Sequence, residues 1–479
     1  MNNSATTTIT AAMLSALICS SSPRLACAAE PAVTSAGSGV RGTALLGDVR
    51  SGRPAGEAQA DSLSLAECIE IAMRNNPRLL QNISKVDQAG AERDRAASQR
   101  WPDLRGAGSY SIYSETERMA APREPGYPLV YADEVLSWNI YASIPLFTGW
   151  RISNEVGAFD LLEESAVSGL EYYRGRLEYE VTGVYHEILK QRMIIESLEF
   201  SREALGQHLE RIEALMAAEK AARADLLRVE VRLADIAQRV ETERAVLEVK
   251  KRSLLNLMGM DGEDIALLRP QENRAESPGE DLTEALSAAY SGRADYLAAR
   301  QELEAQERRV KAARAAYWPS LSLFASYSGK RAIGSFIEMP GAAGLEDIGR
   351  IGCVLELPIF EGGRRGAQID IEKAKLAGME NSLRGLEMQI RLEVESAFHH
   401  LESARKRLAA TDKAVEQAAE SLRIEREKYE LGKGTVTEVL DAESALLEMR
   451  ASRHSAMADF NIQLARIRFV TGEYNESHR

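Results

Sequence analysis

Aromatic side chains are scarce, at 6% of 479 residues, although 45% of the chain is hydrophobic. Ala, Glu, Arg and Leu dominate its middle, which points to long helices rather than to one large compact core. No apolar run reaches the 18 or so residues of a membrane-spanning helix. If the chain enters a membrane, it does so with strands. Clustered positive charge is missing too, and a net charge of -13 argues against a nucleic-acid partner. Cysteine is rare: past the first thirty residues only Cys68 and Cys353 remain, too few for a disulfide framework. The six histidines (186, 208, 399, 400, 454 and 478) form no H-E-x-x-H pair. His399 and His400 are adjacent, so on a helix they point about 100° apart and do not chelate together. There is no G-x-S-x-G and no P-loop, and "GSGVRG" at Gly37 follows no strand and opens no helix. Neither an enzyme, a metal site nor a cofactor is expected.

What is present begins with an export signal over 1–29. "ITAAMLSALI" from Ile9 is a short apolar stretch, and "ACAA" from Ala26 supplies a small-residue cleavage pattern. Cys27 invites a lipid anchor, but Arg24 stands where a lipobox wants an aliphatic residue. A Gly/Ala/Ser-rich flexible leader follows over 30–62.

The rest reads as a duplication. "IPLFTGWR" at Ile144 returns 213 positions later as "LPIFEGGR" at Leu357. "WPDL" at Trp101 returns as "WPSL" at Trp318, and "GSYS" at Gly108 as "ASYS" at Ala325, both at an offset of 217. Two repeats are therefore expected, 63–260 and 282–473, with a linker over 261–281 and a short tail over 474–479. Units this long are duplicated domains rather than solenoid repeats.

Each repeat has the same order of patterns. An amphipathic helix comes first, Leu63 to Arg100 and again Leu282 to Tyr317, with "NNP" at Asn75 breaking the first. Two strands follow, about 103–147 and about 320–360, and then a long helical hairpin, 151–260 and 364–473. In the first hairpin Leu170, Tyr173, Leu177, Val181, Val184 and Ile188 recur every three or four residues, a coiled-coil-like seam. Arg151 to Ala218 holds no proline, and at about 1.5 Å per residue it makes a rod of roughly 100 Å. The strands alternate. Leu136, Trp138, Ile140, Ala142 and Ile144 lie on one face, as do Ile351, Cys353, Leu355 and Leu357, then Leu104, Gly108, Tyr110 and Ile112, and finally Leu321, Leu323, Ala325 and Tyr327. Such runs suit transmembrane barrel strands or a half-buried soluble sheet.

Four strands do not close a barrel, and an open edge in lipid leaves backbone groups unpaired. Two chains give eight strands with the interior filled by side chains, and three give twelve and a lumen. On that reading Pro145 and Pro358 mark where a strand leaves the ladder. Gly149 and Gly362 let the backbone swing from strand to helix. Arg151 and Arg364 then stand at the inner lipid boundary, and Trp101, Trp150, Trp318 and Tyr113 suit an aromatic girdle. The helix turns at Ala218–Asp225 and Leu431–Glu438 interrupt the seam, and "LGKG" carries the glycine that a reversal needs. Glu438 and Asp441 are three apart, so they share a helix face.

"LSLAECIEIAMRNNPRL", "WPDL", "PLFTGWR" and, in the second repeat, "YELGKGTVTEVLDAESALLEMR" together resemble the TolC family of trimeric outer membrane efflux channels. The resemblance implies a fold of mixed α and β dominated by long helices. In it, a trimeric α-helical barrel in the periplasm is continued by a twelve-stranded transmembrane β-barrel. It implies a passive, gated exit duct of a tripartite efflux or type I secretion system. Its partners are two further copies, outer membrane lipid, a periplasmic adaptor and an inner membrane transporter. A periplasmic coiled-coil adaptor or scaffold without a barrel is the competing reading. The family's pattern puts the acidic pore constriction at Glu438 and Asp441 and a gate network at Asp225 and Tyr429. It puts adaptor docking at the tip, around Lys220, Arg223, Gly432, Lys433 and Gly434. The network's Thr and Arg partners are replaced here by Ala224 and Gly434, which leaves two alternatives: Arg223 or Lys433 substitutes, or the resting channel is looser. Crowding of six carboxylates at the constriction is expected to raise some of their pKa values.

Overall fold

A computed structural model of the chain describes residues 63–118, 131–219, 222–261, 281–332 and 346–473. The export signal, the leader, the tail, most of the linker and Lys220 lie outside the described residues. The first helix, α1 (Leu65–Asn75), starts at a capping box. Ser64 accepts from the Glu67 amide, while the Glu67 carboxylate accepts from the Ser64 amide at 2.7 Å. It stops at Asn76, and α2 (Pro77–Ser98) opens on a proline whose absent N–H would have been unpaired in a first turn anyway. Asn76 holds this joint together. Its Oδ1 accepts from the amides of Arg78 and Leu79, and its Nδ2 donates to the Leu257 carbonyl at 2.8 Å.

After β1 (Asp103–Arg118) and β2 (Tyr131–Phe147) comes α3 (Arg151–Ala217), 67 residues long, and then α4 (Arg223–Leu257). The second series is α5 (Leu282–Gly292), α6 (Ala294–Arg314), β3 (Ser320–Ala332), β4 (Glu346–Glu356), α7 (Arg364–Glu430, again 67 residues) and α8 (Val436–Thr471). The single helix expected over Leu282 to Tyr317 is in fact two. It breaks at Arg293, whose backbone is extended and whose side chain pairs with Asp295 at 2.7 Å and Glu393 at 2.6 Å. At 3% side-chain exposure this is a buried ionic staple rather than a surface pair.

The seam read from the sequence is the core. Leu170, Leu177, Val181 and Ile188 are buried against Cys68, Ile69, Ala72 and Leu79 of α1 and α2, against Leu254 and Leu255 of α4 and against Met258 just past its end. Tyr173 and Val184 pack half-buried beside them. Each fully buried Leu or Ile contributes about 1.5–3 kcal/mol, so the stripe stabilises the helices along their length. Farther down, Leu198, Leu205 and Ile212 of α3 meet Val229, Ile236 and Val240 of α4 and Val436, Leu440 and Leu447 of α8. Their spacing of seven is that of helices wound side by side.

The strands form one antiparallel sheet in the order β1-β2-β3-β4. Leu104 lies opposite Ala142, Ala142 opposite Ala325, and Ala325 opposite Ile351, so the apolar sets of all four strands share a face. Arg105, Tyr141, Ser326 and Arg350 make up a row of the other face. β2 runs past Pro145, which stays opposite Ser322; Leu146 is then bulged out and Phe147 returns opposite Leu321. A bulge is a place where a sheet tolerates proline, and this one keeps Phe147 on the apolar face. Among the described residues no helix is long and apolar enough to cross a membrane.

Candidate functional site: the two junctions and the helical tip

Both strand-to-helix junctions turn on a pair of left-handed residues. Gly149 has φ +61° and Trp150 φ +64°, and α3 starts at Arg151. Gly362 has φ +62° and Gly363 φ +84°, and α7 starts at Arg364. Glycine takes such angles freely; a tryptophan does so at a cost. The sequence reading found the two first glycines and missed Trp150, although Gly363 at the matching place was the clue. Trp150 stands edge-on to Phe147 (5.3 Å between centroids) and to Trp318 (5.5 Å). These aromatic contacts offset the strain. Gly149 is also pressed for space. A Cβ there would lie 2.6 Å from the Trp318 Cβ and 2.9 Å from the Ala315 carbonyl oxygen.

The second junction is open instead. A Cβ on Gly362 would meet nothing within 4 Å, and Ile359 and Phe360 are 91% and 87% exposed. Pro358 lies beyond the end of β4, and its carbonyl accepts from Arg365 at 2.5 Å. Arg151 pairs with Glu155 at 3.0 Å and Arg364 with Glu361, each as a helix-start cation with a local partner.

At the other end of α7 the chain reverses through a paired-bond glycine cap. The Gly432 amide donates to the Tyr429 carbonyl at 3.0 Å, and the Lys433 amide to the Lys428 carbonyl at 2.8 Å. Gly432 has φ +70°. Gly434 then passes over the helix end, where a Cβ would come 3.2 Å from the Lys428 Cβ. Thr435 opens α8 with a second capping box. Glu438 accepts from the Thr435 amide at 2.7 Å and from its hydroxyl at 3.0 Å.

This changes the expected electrostatics of Glu438. Within the chain its carboxyl is held below the usual range, first by the Thr435 amide and then by the Thr435 hydroxyl. The expectation of a raised value rested on crowding between chains, whereas the cap acts within one. Asp441 lies exposed one turn farther along α8, on the same side as Glu438.

Within the chain Asp225 has a cation of its own, which the sequence reading did not name. Arg228, one turn on, pairs with Asp225 at 3.3 Å and donates to the Thr437 hydroxyl of α8 at 3.3 Å. Arg223 and Lys433 are exposed. Tyr429 is half-buried against the His208 ring at 5.6 Å, and burial followed by the Asp225 charge pushes its phenol up. Burial, followed by Arg211 and Arg426, pushes the His208 imidazole down. Arg211 reaches Glu430 at 3.2 Å and so ties α3 to α7 just above the turn. Glu443 was not foreseen. It lies half-buried between Ser201 (3.3 Å) and Arg426 (3.9 Å), and desolvation there pushes its carboxyl up.

Among the described residues both cysteines are free. Cys68 is fully buried, its thiol pushed up to about 11 by burial and then by Glu67, and Cys353 is exposed on β4. Among the described residues no group of three or more His, Cys, Asp or Glu could hold a metal ion.

An amphipathic sheet carried on two long helical hairpins is a fold that the chain shares with solved outer membrane channels. The chain superimposes on the Campylobacter jejuni CmeC outer membrane channel with a TM-score of 0.74, at 16% identity, covering 87% of each chain. Against the Vibrio cholerae outer membrane protein VceC the TM-score is 0.70, at 19% identity, covering 85% of this chain and 96% of that one. The sequence model of the family described as outer membrane efflux protein matches residues 285–473. Outer membrane protein TolC of Escherichia coli is 22% identical over 422 residues, 86% of this chain and 83% of the relative. Outer membrane protein OprJ of Pseudomonas aeruginosa is 23% identical over 414 residues, 82% of each. The chain is thus similar to outer membrane efflux proteins, in its family pattern over residues 285–473 and in sequence to TolC and OprJ over more than four-fifths of its length.

Proposed function

We propose that the chain is one protomer of a homotrimeric outer membrane efflux or secretion duct. Three four-stranded sheets close into a twelve-stranded barrel, and the duplicated hairpins continue it as a periplasmic tunnel. The observation that carries this reading is the sheet itself. It has one apolar face and two long open edges, which lipid tolerates only after closure. The duct is passive: a periplasmic adaptor docks at the tip turns, and an inner membrane transporter supplies the energy. Threefold symmetry sets Glu438 and Asp441 as six carboxylates around the axis, a constriction that favours cations.

The test is direct. Protein extracted from the outer membrane should run as a heat-modifiable trimer and give discrete conductance steps in planar bilayers. A soluble periplasmic monomer without conductance would instead support an adaptor or scaffold. Charge reversal at Arg223 and Lys433 should abolish transport while leaving the amount of trimer unchanged; normal transport would count against docking at the tip.

A further inference from the structure

The two repeats meet lengthwise where α3 runs antiparallel to α8. Toward the sheet, Tyr172 and Tyr179 close on Phe469, with centroids 5.6 and 5.5 Å apart. Toward the tip, Leu205 shares a buried cluster with Leu440 and Leu447. Between these contacts the seam opens into a recess of about 370 Å³, within the range of roughly 300–1,000 Å³ that holds small molecules. Its walls differ in kind. Met193 and Phe200 of α3 and Val415 of α7 are apolar, whereas α8 contributes Arg450, Arg453 and His454.

The polar groups of α8 are incompletely matched. The Arg450 guanidinium stands 5.5 Å from the centre of the Phe200 ring and has no ion-pair partner among the described residues. Arg453 pairs with Asp412 of α7 through Nε, at 2.6 Å, which leaves its terminal nitrogens to other acceptors. Ser197 donates to the Met193 carbonyl at 2.8 Å, so at 3.4 Å it accepts from the His454 Nε2. Neutral imidazole has one proton, and the buried Nδ1 is left with no hydrogen-bond partner among the described residues. The other charged group of α3, Glu196, lies at the rim with its side chain 67% exposed, 4.0 Å from Arg192.

We infer that this recess binds an amphipathic organic anion, its apolar body against Phe200, Met193 and Val415 and its carboxylate or sulfonate head between Arg450 and Arg453. A cation would be repelled by both arginines, and a bare inorganic anion would leave the exposed Phe200 ring uncovered. His454 completes the site, since a proton on Nδ1 turns an unmatched acceptor into a charge-assisted donor to the anion. Burial, followed by Arg453 and Arg450, holds this imidazole below its ordinary value. The anion offsets both arginines, so its binding draws a proton from solvent and tightens as pH falls. Every part comes from one chain, so the inference stands whether or not three chains form a duct.

The probe is naphthalene-2-sulfonate, titrated calorimetrically into the purified full chain, with 2-naphthylmethylammonium and inorganic sulfate alongside. The sulfonate should bind, and about tenfold more weakly in Arg450→Gln, which removes a charged donor. Val415→Trp fills the recess from α7 and should weaken it at least as much. The two variants lie on different helices and are checked by circular dichroism melting, so misfolding of one leaves the other to decide. Affinity in the native chain should rise several-fold between about pH 8 and pH 6, and the rise should vanish in His454→Gln. Equal affinity in the native chain and a folded variant would overturn the site. Equally tight binding of the naphthyl cation, or of sulfate alone, would overturn the ligand class, and a flat pH profile the part given to His454.

Discussion

Gly149 and Gly432 share a left-handed backbone, at φ +61° and +70°, but not the same surroundings. Replacing either with alanine forces an L side chain into that region, which costs about 1–2 kcal/mol. At Gly432 nothing lies within 4 Å of the new Cβ, so the cost ends there. At Gly149 the new Cβ would lie 2.6 Å from the Trp318 Cβ and 2.9 Å from the Ala315 carbonyl oxygen. Neither neighbour is the free end of a flexible chain, so the junction must shift, and overpacking adds about 1–3 kcal/mol. Gly149→Ala should therefore cost about 2–5 kcal/mol against about 1–2 for Gly432→Ala. Guanidinium unfolding followed by tryptophan fluorescence measures both, with Trp150 and Trp318 reporting from the junction itself. A double-mutant cycle with Trp318→Gly should show part of the excess vanishing. Equal losses for the two alanine variants, or no coupling to Trp318, would refute the claim that space rather than backbone conformation fixes the residue at 149.

Other outcomes follow from the same geometry. Glu438→Gln keeps a capping-box side chain and removes a charge, so with Asp441→Asn it should weaken cation selectivity in bilayers at little cost in stability. Glu438→Ala should also lose about 0.5–1 kcal/mol of α8, and equal stability of the Gln and Ala forms would discount the cap. Burial lowers the His186 imidazole to about 4. The unfolded chain takes up that proton near pH 6.5, so stability is full above that pH and falls as pH drops toward 4, by on the order of 3 kcal/mol. In His186→Gln the decline between pH 7 and 4.5 should flatten; an unchanged slope would assign it to other groups. Arg293→Ala leaves Asp295 and Glu393 half-buried without their cation and should cost about 3–5 kcal/mol in thermal unfolding.

Period alone made much of this fold legible. Leu170, Leu177, Val181 and Ile188 are buried as their spacing says, because a helix this long has no other way to hide an apolar stripe. The strand faces were readable for the same reason: a pleat alternates, and the register puts each chosen residue on one face. The sequence was silent where partners are distant. Arg293 finds Glu393 a hundred positions away, and Glu443 finds Ser201 across 242, pairings that no local pattern encodes. Two signals were local and still went unread. "TVTE" at Thr435 is a capping box, and it gives Glu438 a structural duty within the chain as well as the pore role proposed for it. Asp225 and Arg228 are three apart on one helix, a nearer pairing than Arg223 or Lys433 offers.

Helices α3 and α7 have equal length, 67 residues each, and both start directly after a left-handed pair at the sheet. At about 1.5 Å per residue their far ends stand level, roughly 100 Å from the strands. In the proposed trimer six hairpin ends would then lie in one plane, and a partner abutting them would meet a flat rim rather than a stepped one. Evolution of arm length is then coupled. A seven-residue insertion keeps the apolar stripe in phase but moves one end by about 10 Å, leaving a notch in every protomer unless the other arm lengthens with it.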